Sequence, residues 1–180
     1  MSYWTELQLP TERELVIGFY DLRGYTQYCQ ATESARAFEV MAGYHHLVSD
    51  IIARHGGLLI KLIGDAGMFA FPSEAADDAI HAVQAYRCEG NAWLLDQDYR
   101  GRVRTVLHAG PVAIGRIDAQ GRELIDVIGS TVNIAGAMRS EGEIAITPAL
   151  FRKLSAETRT LFKKHTPPIS YIGVDDLRPG

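Results

Sequence analysis

The sequence has few cysteines and no long apolar run. Cys29 and Cys88 stand isolated from each other and from histidine, which fits neither a zinc-binding spacing nor a disulfide framework. No apolar run approaches the roughly 20 residues that a membrane-spanning helix needs. Met1–Leu9 is neither basic nor apolar enough for a signal peptide. We therefore expect a cytoplasmic protein that does not insert into a membrane.

An excess of positive charge is also missing. The net charge of −4 argues against nucleic-acid binding, although it leaves room for a local basic pocket that takes a small anion. Neither a P-loop nor a Gly-x-Gly-x-x-Gly run after a strand is present, which disfavours a doubly wound nucleotide-binding fold. The 180 residues suffice for one domain with a real core. We expect residues 1–12 to form an N-terminal tail and residues 13–180 a single domain, with no sensor or anchor domain attached.

The clearest local pattern is a β-hairpin over Leu58–Phe71. Two apolar runs flank Gly64 and Asp65, and glycine supplies the positive φ that a tight turn needs. Because apolar residues fill most of both arms, we expect both strands to be largely buried. Lys61 and Asp65 are charges in an apolar ribbon, which cost free energy unless they are paired, bound to metal or facing a ligand. The alternative is a lysine at a strand end and an aspartate in a solvated turn.

A second carboxylate ends another apolar strand. Residues 14–21 end in Asp21, and Gly24 in the following turn can bring backbone N–H groups close to a ligand. Adjacent central strands would place Asp21 and Asp65 side by side. Two converging carboxylates suit Mg²⁺ or Mn²⁺, which keep several waters and complete their shells with substrate phosphate. The alternative is a pair of solvated turn aspartates.

The order of elements indicates the fold class. Apolar periodicity predicts a helix over about 32–55, with Phe38, Tyr44 and His45 on its apolar face, and a helix over 73–89, with Ser73 as N-cap. Strand patterns surround them in the order β, α, β-hairpin, α, β-hairpin, α, β, α, β. They include a strand over 102–107, a break at 108–110 and a final strand over 169–174. Hairpins mixed with helical crossovers predict an α+β fold, in which an antiparallel-containing sheet carries helices on one face.

Five motifs then occur in one order along the chain. They are Phe19–Thr26 (FYDLRGYT), His55–Gly57 (HGG), Lys61–Asp65 (KLIGD), Arg104–Val112 (RTVLHAGPV) and Asp126–Ala135 (DVIGSTVNIA). Together they resemble the catalytic domain of the class III nucleotide cyclases, and the resemblance covers about Leu15–Ile146. The resemblance implies a ferredoxin-like βαββαβ core and a head-to-tail homodimer with two equivalent sites at its interface.

The resemblance also implies a reaction and a role for each site residue. A nucleoside triphosphate substrate would lose pyrophosphate as its ribose 3′-OH attacks the α-phosphorus, giving a 3′,5′-cyclic nucleotide. Two divalent metal ions, Mg²⁺ or Mn²⁺, would be the cofactors. The implied metal ligands are Asp21, Asp65 and the Leu22 carbonyl, with Arg23, Gly24 and Tyr25 in the phosphate-binding turn. From the other subunit, Lys61 and Asp126 would read the base and Asn133 would orient the ribose.

Two departures from the family pattern stand out. The family places an arginine four residues after the asparagine, where this chain has Ala137, and Arg139 lies about 200° further around a regular helix. The family's triphosphate lysine has no counterpart in residues 171–176. Losing one such charge donor costs roughly 10²–10³ in rate. The chain is then a cyclase with a rearranged cation or a degenerate nucleotide-binding regulator, and the two retained acids favour the enzyme. Candidate substitutes are Arg23, Arg104, Arg116 and Arg122.

The hydrogen-bonding groups and the size of the base pocket decide which nucleotide base the site accepts. A lysine donor beside an aspartate acceptor suits adenine and uracil, and suits guanine less. Tyr44 lies on the helix beside the base pocket and would narrow the pocket so that it favours a base with one ring over a base with two. The alternative is that Tyr44 is a packing residue. The small domain also resembles bacterial pyrimidine cyclases of anti-phage defence, which signal to a separate effector. Our first substrate hypothesis is UTP, giving cUMP, and the second is ATP, giving cAMP.

Overall fold

The computed structural model describes residues 3–139, 142–165 and 170–173. Two short 3₁₀ turns, Tyr3–Thr5 and Ser73–Ala75, accompany the helices and strands. In chain order these are β1 (Thr11–Leu22), α1 (Tyr25–Ala31), α2 (Ser34–Arg54), β2 (Leu58–Ile63), β3 (Ala66–Pro72), α3 (Ala76–Asp96), β4 (Val103–Ala119), β5 (Arg122–Ile128), α4 (Ser130–Ala137), β6 (Ile144–Ile146), α5 (Pro148–Phe151), α6 (Ala156–Arg159), β7 (Phe162–His165) and β8 (Ser170–Gly173).

The strands form one mixed sheet in the order β2-β3-β1-β4-β6-β8-β7, and β5 pairs with the far end of β4. Strand β1 lies inside the sheet and pairs antiparallel with both β3 and β4, whereas β4 and β6 run parallel. The first six major elements, β1-α2-β2-β3-α3-β4, give the spatial strand order β2-β3-β1-β4 of a ferredoxin-like βαββαβ core. The predicted α+β fold is confirmed.

Helices α2 and α3 pack together over the sheet and bury the main core. Aromatic rings fill this core, among them Tyr20, Tyr44, Phe69 and Tyr86. Two details of the predicted helices are wrong. Phe38 is 73% exposed because it lies beside the face that α2 turns to the core. Ser73 lies in a 3₁₀ turn that precedes α3, so it is not the N-cap of that helix.

The predicted hairpin is present, but its two arms differ in burial. Strand β3 is almost entirely buried, because it lies between β1 and β2 under the helices. Strand β2 is the edge of the sheet, and Leu62 and Ile63 at its end are 51% and 53% exposed. The prediction that both arms are buried is therefore wrong for β2. A register irregularity between Leu59 and Lys61 accompanies this edge position.

Strand β4 is continuous through residues 108–110, where the sequence predicted a break. It pairs with β6 over Thr105–Leu107 and with β5 over Ala113–Ala119. Pro111 falls between these two stretches, so its missing N–H removes no bond on that side. Past the main sheet, β4 and β5 continue as a two-stranded arm.

The chain ends differ from expectation in two ways. The expected tail over residues 1–12 includes the start of β1 at Thr11, and Trp4 packs on the sheet and donates its indole N–H to the Gly56 carbonyl at 2.9 Å. Strand β7 was not predicted. The predicted final strand is present over Ser170–Gly173, while residues 169 and 174–176 lie outside the described residues.

Candidate active site

The two acids predicted to bind metal lie at the same end of neighbouring strands. Asp21 is the next-to-last residue of β1, and Asp65 lies in the turn between β2 and β3. Tyr20 pairs with Gly67, so Asp21 and Asp65 follow directly beyond the last ladder pair of β1 and β3. Gly64 adopts a φ of 63°, which lets β2 reverse within two residues. The fold thus brings these two predicted residues together.

Arg104 of β4 holds Asp21 from the other side. The two residues pair across the β1–β4 ladder, and the guanidinium binds the carboxylate with both arms. Arg104 Nε donates to Asp21 Oδ1 at 3.0 Å and Nη2 donates to Oδ2 at 2.8 Å. This bidentate geometry fixes the carboxylate plane. It also places a permanent positive charge beside the predicted metal site.

Contacts with residues 99–102 fix the backbone of the turn after β1. The Tyr99 hydroxyl donates to the Arg23 carbonyl at 2.8 Å, and the Arg23 N–H donates to the Arg102 carbonyl at 2.9 Å. Gly101 packs against the turn so closely that a Cβ there would lie 1.9 Å from the Arg23 carbonyl oxygen. Gly24 has a φ of 88°, a left-handed conformation that glycine adopts without strain. The predicted phosphate-binding turn therefore has a fixed shape.

Two tyrosines beside the carboxylates have raised pKa values. Burial raises the pKa of Tyr99, and the charges of Asp65 and Asp21 raise it further. A hydrogen bond with Cys29, followed by burial and the nearby Asp65 charge, raises the pKa of Tyr25 to about 12. Both phenols therefore stay neutral at physiological pH. Tyr99 lies close enough to Asp21 and Asp65 for both carboxylates to act on it.

The chemistry of these donors fits a divalent metal. The side chains of Asp21 and Asp65 and the Leu22 carbonyl offer only oxygen ligands, which Mg²⁺ and Mn²⁺ prefer. Among residues 3–139, 142–165 and 170–173, no group of three or more His, Cys, Asp or Glu side chains could hold a metal. The protein thus supplies two carboxylates, which leaves room for water and phosphate oxygens in the shells of such ions.

The predicted base-reading pair is also brought together. Lys61 at the end of β2 donates to Asp126 Oδ2 of β5 at 2.7 Å. The second oxygen of Asp126 accepts the Val127 N–H at 2.8 Å, which orients the carboxylate. Both side chains keep part of their surface in solvent. The pair has the donor and acceptor that our prediction requires, and reading a base with it remains a prediction.

One exposed face of helix α4 carries Asn133, which is predicted to orient the ribose, and Ala137, which stands where the family has an arginine. Asn133 and Ala137 are four residues apart and both are exposed. The helix ends at Ala137, so Arg139 lies beyond it and its direction does not follow from helical spacing. Among the arginines considered as substitutes, Arg104 contacts Asp21 directly. Arg116 pairs with Glu123 on the β4–β5 arm.

The prediction that Tyr44 narrows the base pocket is wrong. Its side chain has 0% exposure and lies in the core, with its ring centroid 6.2 Å from that of Tyr20. Gly90 of α3 approaches so closely that a Cβ there would lie 2.8 Å from the Tyr44 ring. The register of α2 turns this residue toward α3 and the sheet, so it contacts no ligand at the surface of the chain.

Two contacts of the site were missed in the sequence. Arg104 was considered only as a general cation, although it pairs with Asp21 across the ladder. The antiparallel order β1–β4 would have revealed this partnership. His45 was assigned to an apolar helix face, and nothing in its spacing signalled its hydrogen bonds to Tyr20 and Gly64.

The search for membrane-spanning helices was negative over the part of the chain that the structure describes. None of the helices there is both long enough and apolar enough to cross a bilayer.

Curated relatives agree with this architecture. The chain is 31% identical over 163 residues to an adenylate cyclase of Anabaena cylindrica, and the match covers 83% of this chain and 32% of that protein. It is 24% identical over 159 residues to adenylate cyclase 2 of Rhizobium meliloti, covering 81% and 43%. The chain thus spans less than half the length of these two relatives.

Solved structures share the fold, and a family profile covers most of the chain. The adenylyl cyclase CyaB from P. aeruginosa superposes with a TM-score of 0.78 at 20% identity, covering 96% of this chain and 100% of that one. The profile of the adenylate and guanylate cyclase catalytic domain matches residues 7–167. The chain therefore belongs to the adenylate and guanylate cyclase catalytic domain family.

Proposed function

We propose that this chain is a nucleotide cyclase, which converts a nucleoside triphosphate to a 3′,5′-cyclic nucleotide and pyrophosphate. The observation that carries the proposal is the placement of Asp21 and Asp65 at one end of adjacent strands in a cyclase-family fold. The ordered turn over Leu22–Tyr25 lies directly beside them. The Lys61–Asp126 pair adds a donor and an acceptor suited to a base edge.

In this proposal Asp21 and Asp65 hold two divalent ions, Mg²⁺ or Mn²⁺. When bound, such ions make the ribose 3′-OH more acidic and balance charge on the triphosphate. Arg104 fixes the Asp21 carboxylate and contributes a positive charge at the same edge. We propose Arg104 as the cation that offsets the absence of an arginine at Ala137, because it is paired with Asp21, one of the proposed metal ligands. The backbone of the Leu22–Tyr25 turn then faces the phosphates.

We further propose that the active unit is a two-fold homodimer. Apolar side chains lie exposed along β2, β4, β5 and α4, and exposed apolar patches mark interaction sites. Isologous pairing that covers several of these side chains would set Lys61, Asp126 and Asn133 of one subunit against Asp21 and Asp65 of the other. The exposed side chains are Leu62, Ile63, Ile117, Leu124, Ile125, Ile128 and Ile134.

The substrate that we propose is ATP. The Lys61–Asp126 pair suits adenine and uracil alike, so hydrogen bonding alone leaves both open. The size argument for uracil rested on Tyr44, which is buried in the core. The curated relatives above are named adenylate cyclases, which favours ATP. UTP is the competing substrate. The anti-phage role and the separate effector stay predictions from the sequence.

A second candidate is a nucleotide-binding protein without turnover. The exposed Ala137 at the position of the family's arginine motivates it, and so does the absence of lysine from the described part of the last strand, residues 170–173. A class III adenylyl cyclase-like ATP-binding protein from Pseudomonas aeruginosa has this fold, with a TM-score of 0.72 at 19% identity, covering 85% of this chain and 37% of that one.

Turnover of ATP in Mn²⁺ separates these two candidates. The enzyme predicts pyrophosphate release together with a cyclic nucleotide, and both should disappear in Asp65→Ala. The binding protein predicts metal-dependent ATP binding with no pyrophosphate. Mixing Asp21→Ala with Lys61→Ala tests the dimer, because each mixed dimer would carry one intact site. Recovery of activity supports shared sites, and no recovery argues for sites within one chain.

A further inference from the structure

His45 on α2 makes two hydrogen bonds that lead to the two metal-binding acids. Its side chain is nearly buried, with 7% exposure for the residue. Nδ1 lies 2.8 Å from the Tyr20 hydroxyl, and Nε2 lies 2.9 Å from the Gly64 carbonyl oxygen. Tyr20 directly precedes Asp21, and Gly64 directly precedes Asp65. One imidazole therefore joins the residues that position both carboxylates.

The chemistry of the partners assigns the protons. A carbonyl oxygen only accepts, so Nε2 carries the hydrogen that is donated to Gly64. In the neutral ring Nδ1 then accepts a hydrogen bond that the Tyr20 hydroxyl donates. Burial lowers the pKa of His45, which favours this neutral form, although the Gly64 hydrogen bond and the Asp65 charge act in the opposite direction. All polar atoms of the Tyr20–His45 pair are thereby satisfied.

Packing fixes the Tyr20 end of this connection. Tyr20 is almost completely buried, and its ring lies so close to Gly67 that a Cβ there would be 2.4 Å from the Tyr20 Cζ. The hydroxyl therefore has little freedom to leave His45. The Gly64 end is different, because the β2–β3 turn lies at the exposed edge of the sheet. His45 is the described side chain that ties this turn carbonyl to the core.

A role in filling space alone does not account for this histidine. Its neighbours on the same helix face, such as Met41 and Val48, are apolar core residues, and an apolar side chain would pack there without two polar atoms to satisfy. The two bonds instead connect three separate elements: α2, β1 and the β2–β3 turn. This is the arrangement in which groups outside a metal site orient its ligands.

We propose that His45 is a positioning residue that fixes the Asp65 turn relative to Asp21 and so sets the affinity of the site for divalent metal. The proposal rests on the proposed cyclase function, since it assumes that these acids bind metal. It assigns no contact between His45 and substrate. Its effect is transmitted through the Gly64 carbonyl and the Tyr20 hydroxyl.

Three variants and one control test the proposal. His45→Phe removes both bonds while it keeps an aromatic ring of similar size. His45→Gln keeps an N–H that can reach Gly64, and Tyr20→Phe removes only the hydroxyl. His46→Phe is the matched control, because His46 is the adjacent exposed histidine and pairs with Asp50 on the surface of α2.

We expect His45→Phe to raise the Mn²⁺ concentration for half-maximal turnover by about tenfold, the low end of the range for groups that orient metal ligands. Amide hydrogen exchange of residues 63–66 should accelerate in the same variant. His45→Gln should recover most of both effects, and Tyr20→Phe should show a smaller shift. If His45→Phe does not fold, His45→Gln and Tyr20→Phe decide the question.

The proposal is overturned if His45→Phe folds with an unchanged Mn²⁺ requirement, or if His45→Gln and the control shift as much as His45→Phe. A loss confined to thermal stability would make His45 a packing residue. A binding measurement separates failure of this proposal from failure of the proposed cyclase function. Mn²⁺ is titrated into the protein with a non-cyclisable ATP analogue, and the free ion is measured by electron paramagnetic resonance. Even without any turnover, a weaker Mn²⁺ affinity in His45→Phe supports the positioning role.

Discussion

Replacing Asp21 by asparagine separates the proposed role of this residue in the reaction from its role in the fold. The substitution keeps the size of the side chain and one acceptor for Arg104, but it removes the negative charge. The carboxylate lies at an edge of the sheet and not in the core, with 37% of its side chain exposed beside a 23% exposed Arg104 side chain. The structural cost should therefore be small, while the cost to metal binding should be large.

The magnitudes follow from this exposure. Exposed ion pairs contribute about 0.2–1 kcal/mol, and the bidentate geometry places this pair at the upper end of that range. We expect Asp21→Asn to lower the free energy of unfolding by about 1 kcal/mol, which shifts Tm by roughly 2–4 °C in a domain of this size. Turnover should fall by at least about 10²-fold, as for the loss of one preorganised electrostatic contact.

Thermal melting and pyrophosphate release, measured on the same preparation, provide the assay. Glu89→Gln is the matched control, because it makes the same chemical change in the Arg54–Glu89 ion pair on the outside of the helices. The control should lose little stability and keep its turnover. Full activity in Asp21→Asn would refute the assignment of Asp21 as a metal ligand. A large loss of Tm would show that the Arg104 pair mainly supports the fold.

Three further substitutions test other parts of the structure. Burial raises the pKa of Glu143, but the hydrogen bonds and positive charges of Arg87 and Arg102 together outweigh burial and hold the pKa below its ordinary 4.5. Glu143→Gln should cost about 1–3 kcal/mol of unfolding free energy at neutral pH. Because a lowered folded pKa contributes stability above the unfolded value, the gap between wild type and variant in urea unfolding should shrink as pH falls below 4.5, and a pH-independent gap would contradict this. Gly67→Ala should destabilise the fold by about 1–3 kcal/mol through overlap with the Tyr20 ring, and an unchanged melting curve would show that the ring can move. Ile128→Asp, at a 65% exposed position, should leave the melting temperature of the subunit unchanged and weaken dimerisation at least tenfold by analytical ultracentrifugation, whereas an unchanged dimer would place the interface elsewhere.

Local patterns predicted the strand ends that carry the acids. The hairpin turn at Gly64 and Asp65 follows from glycine chemistry, and the strand that ends near Asp21 follows from an apolar run, so both could be placed without tertiary information. Their meeting depends on β1 lying beside β3. The resemblance to a known family supplied that order, because a single sequence does not contain the pairing of distant strands.

The predictions that failed all depend on long-range packing, which a single sequence does not show. Most turns of α2 carry apolar residues, so periodicity alone did not show that Tyr44 faces Gly90 and the core while Phe38 faces solvent. The break predicted near Gly110 assumed that glycine and proline end a strand. In the structure Gly110 makes room for Thr131 of α4, whose hydroxyl donates to the Pro111 carbonyl at 2.7 Å. The strand therefore continues because a distant helix packs on it.

The prediction that β2 is buried failed for a related reason, because a sequence pattern describes a strand and does not show which strands lie beside it. Leu62 and Ile63 read as core residues, yet β2 is an edge strand and both lie exposed in the single chain. The proposed dimer would bury the face that they share with the β4–β5 arm. On that account their apolar character reflects an interface between subunits.

The most direct test of the account is product identification from an equimolar mixture of ATP, GTP, CTP and UTP. The protein is incubated with Mn²⁺ and separately with Mg²⁺, and cyclic nucleotides are identified by mass spectrometry, with Asp65→Ala as the control. The proposed function predicts cAMP as the main product of the wild-type protein and no cyclic nucleotide from Asp65→Ala. Cyclic UMP would contradict the proposed substrate, and nucleotide binding without any cyclic product would contradict the proposed enzyme.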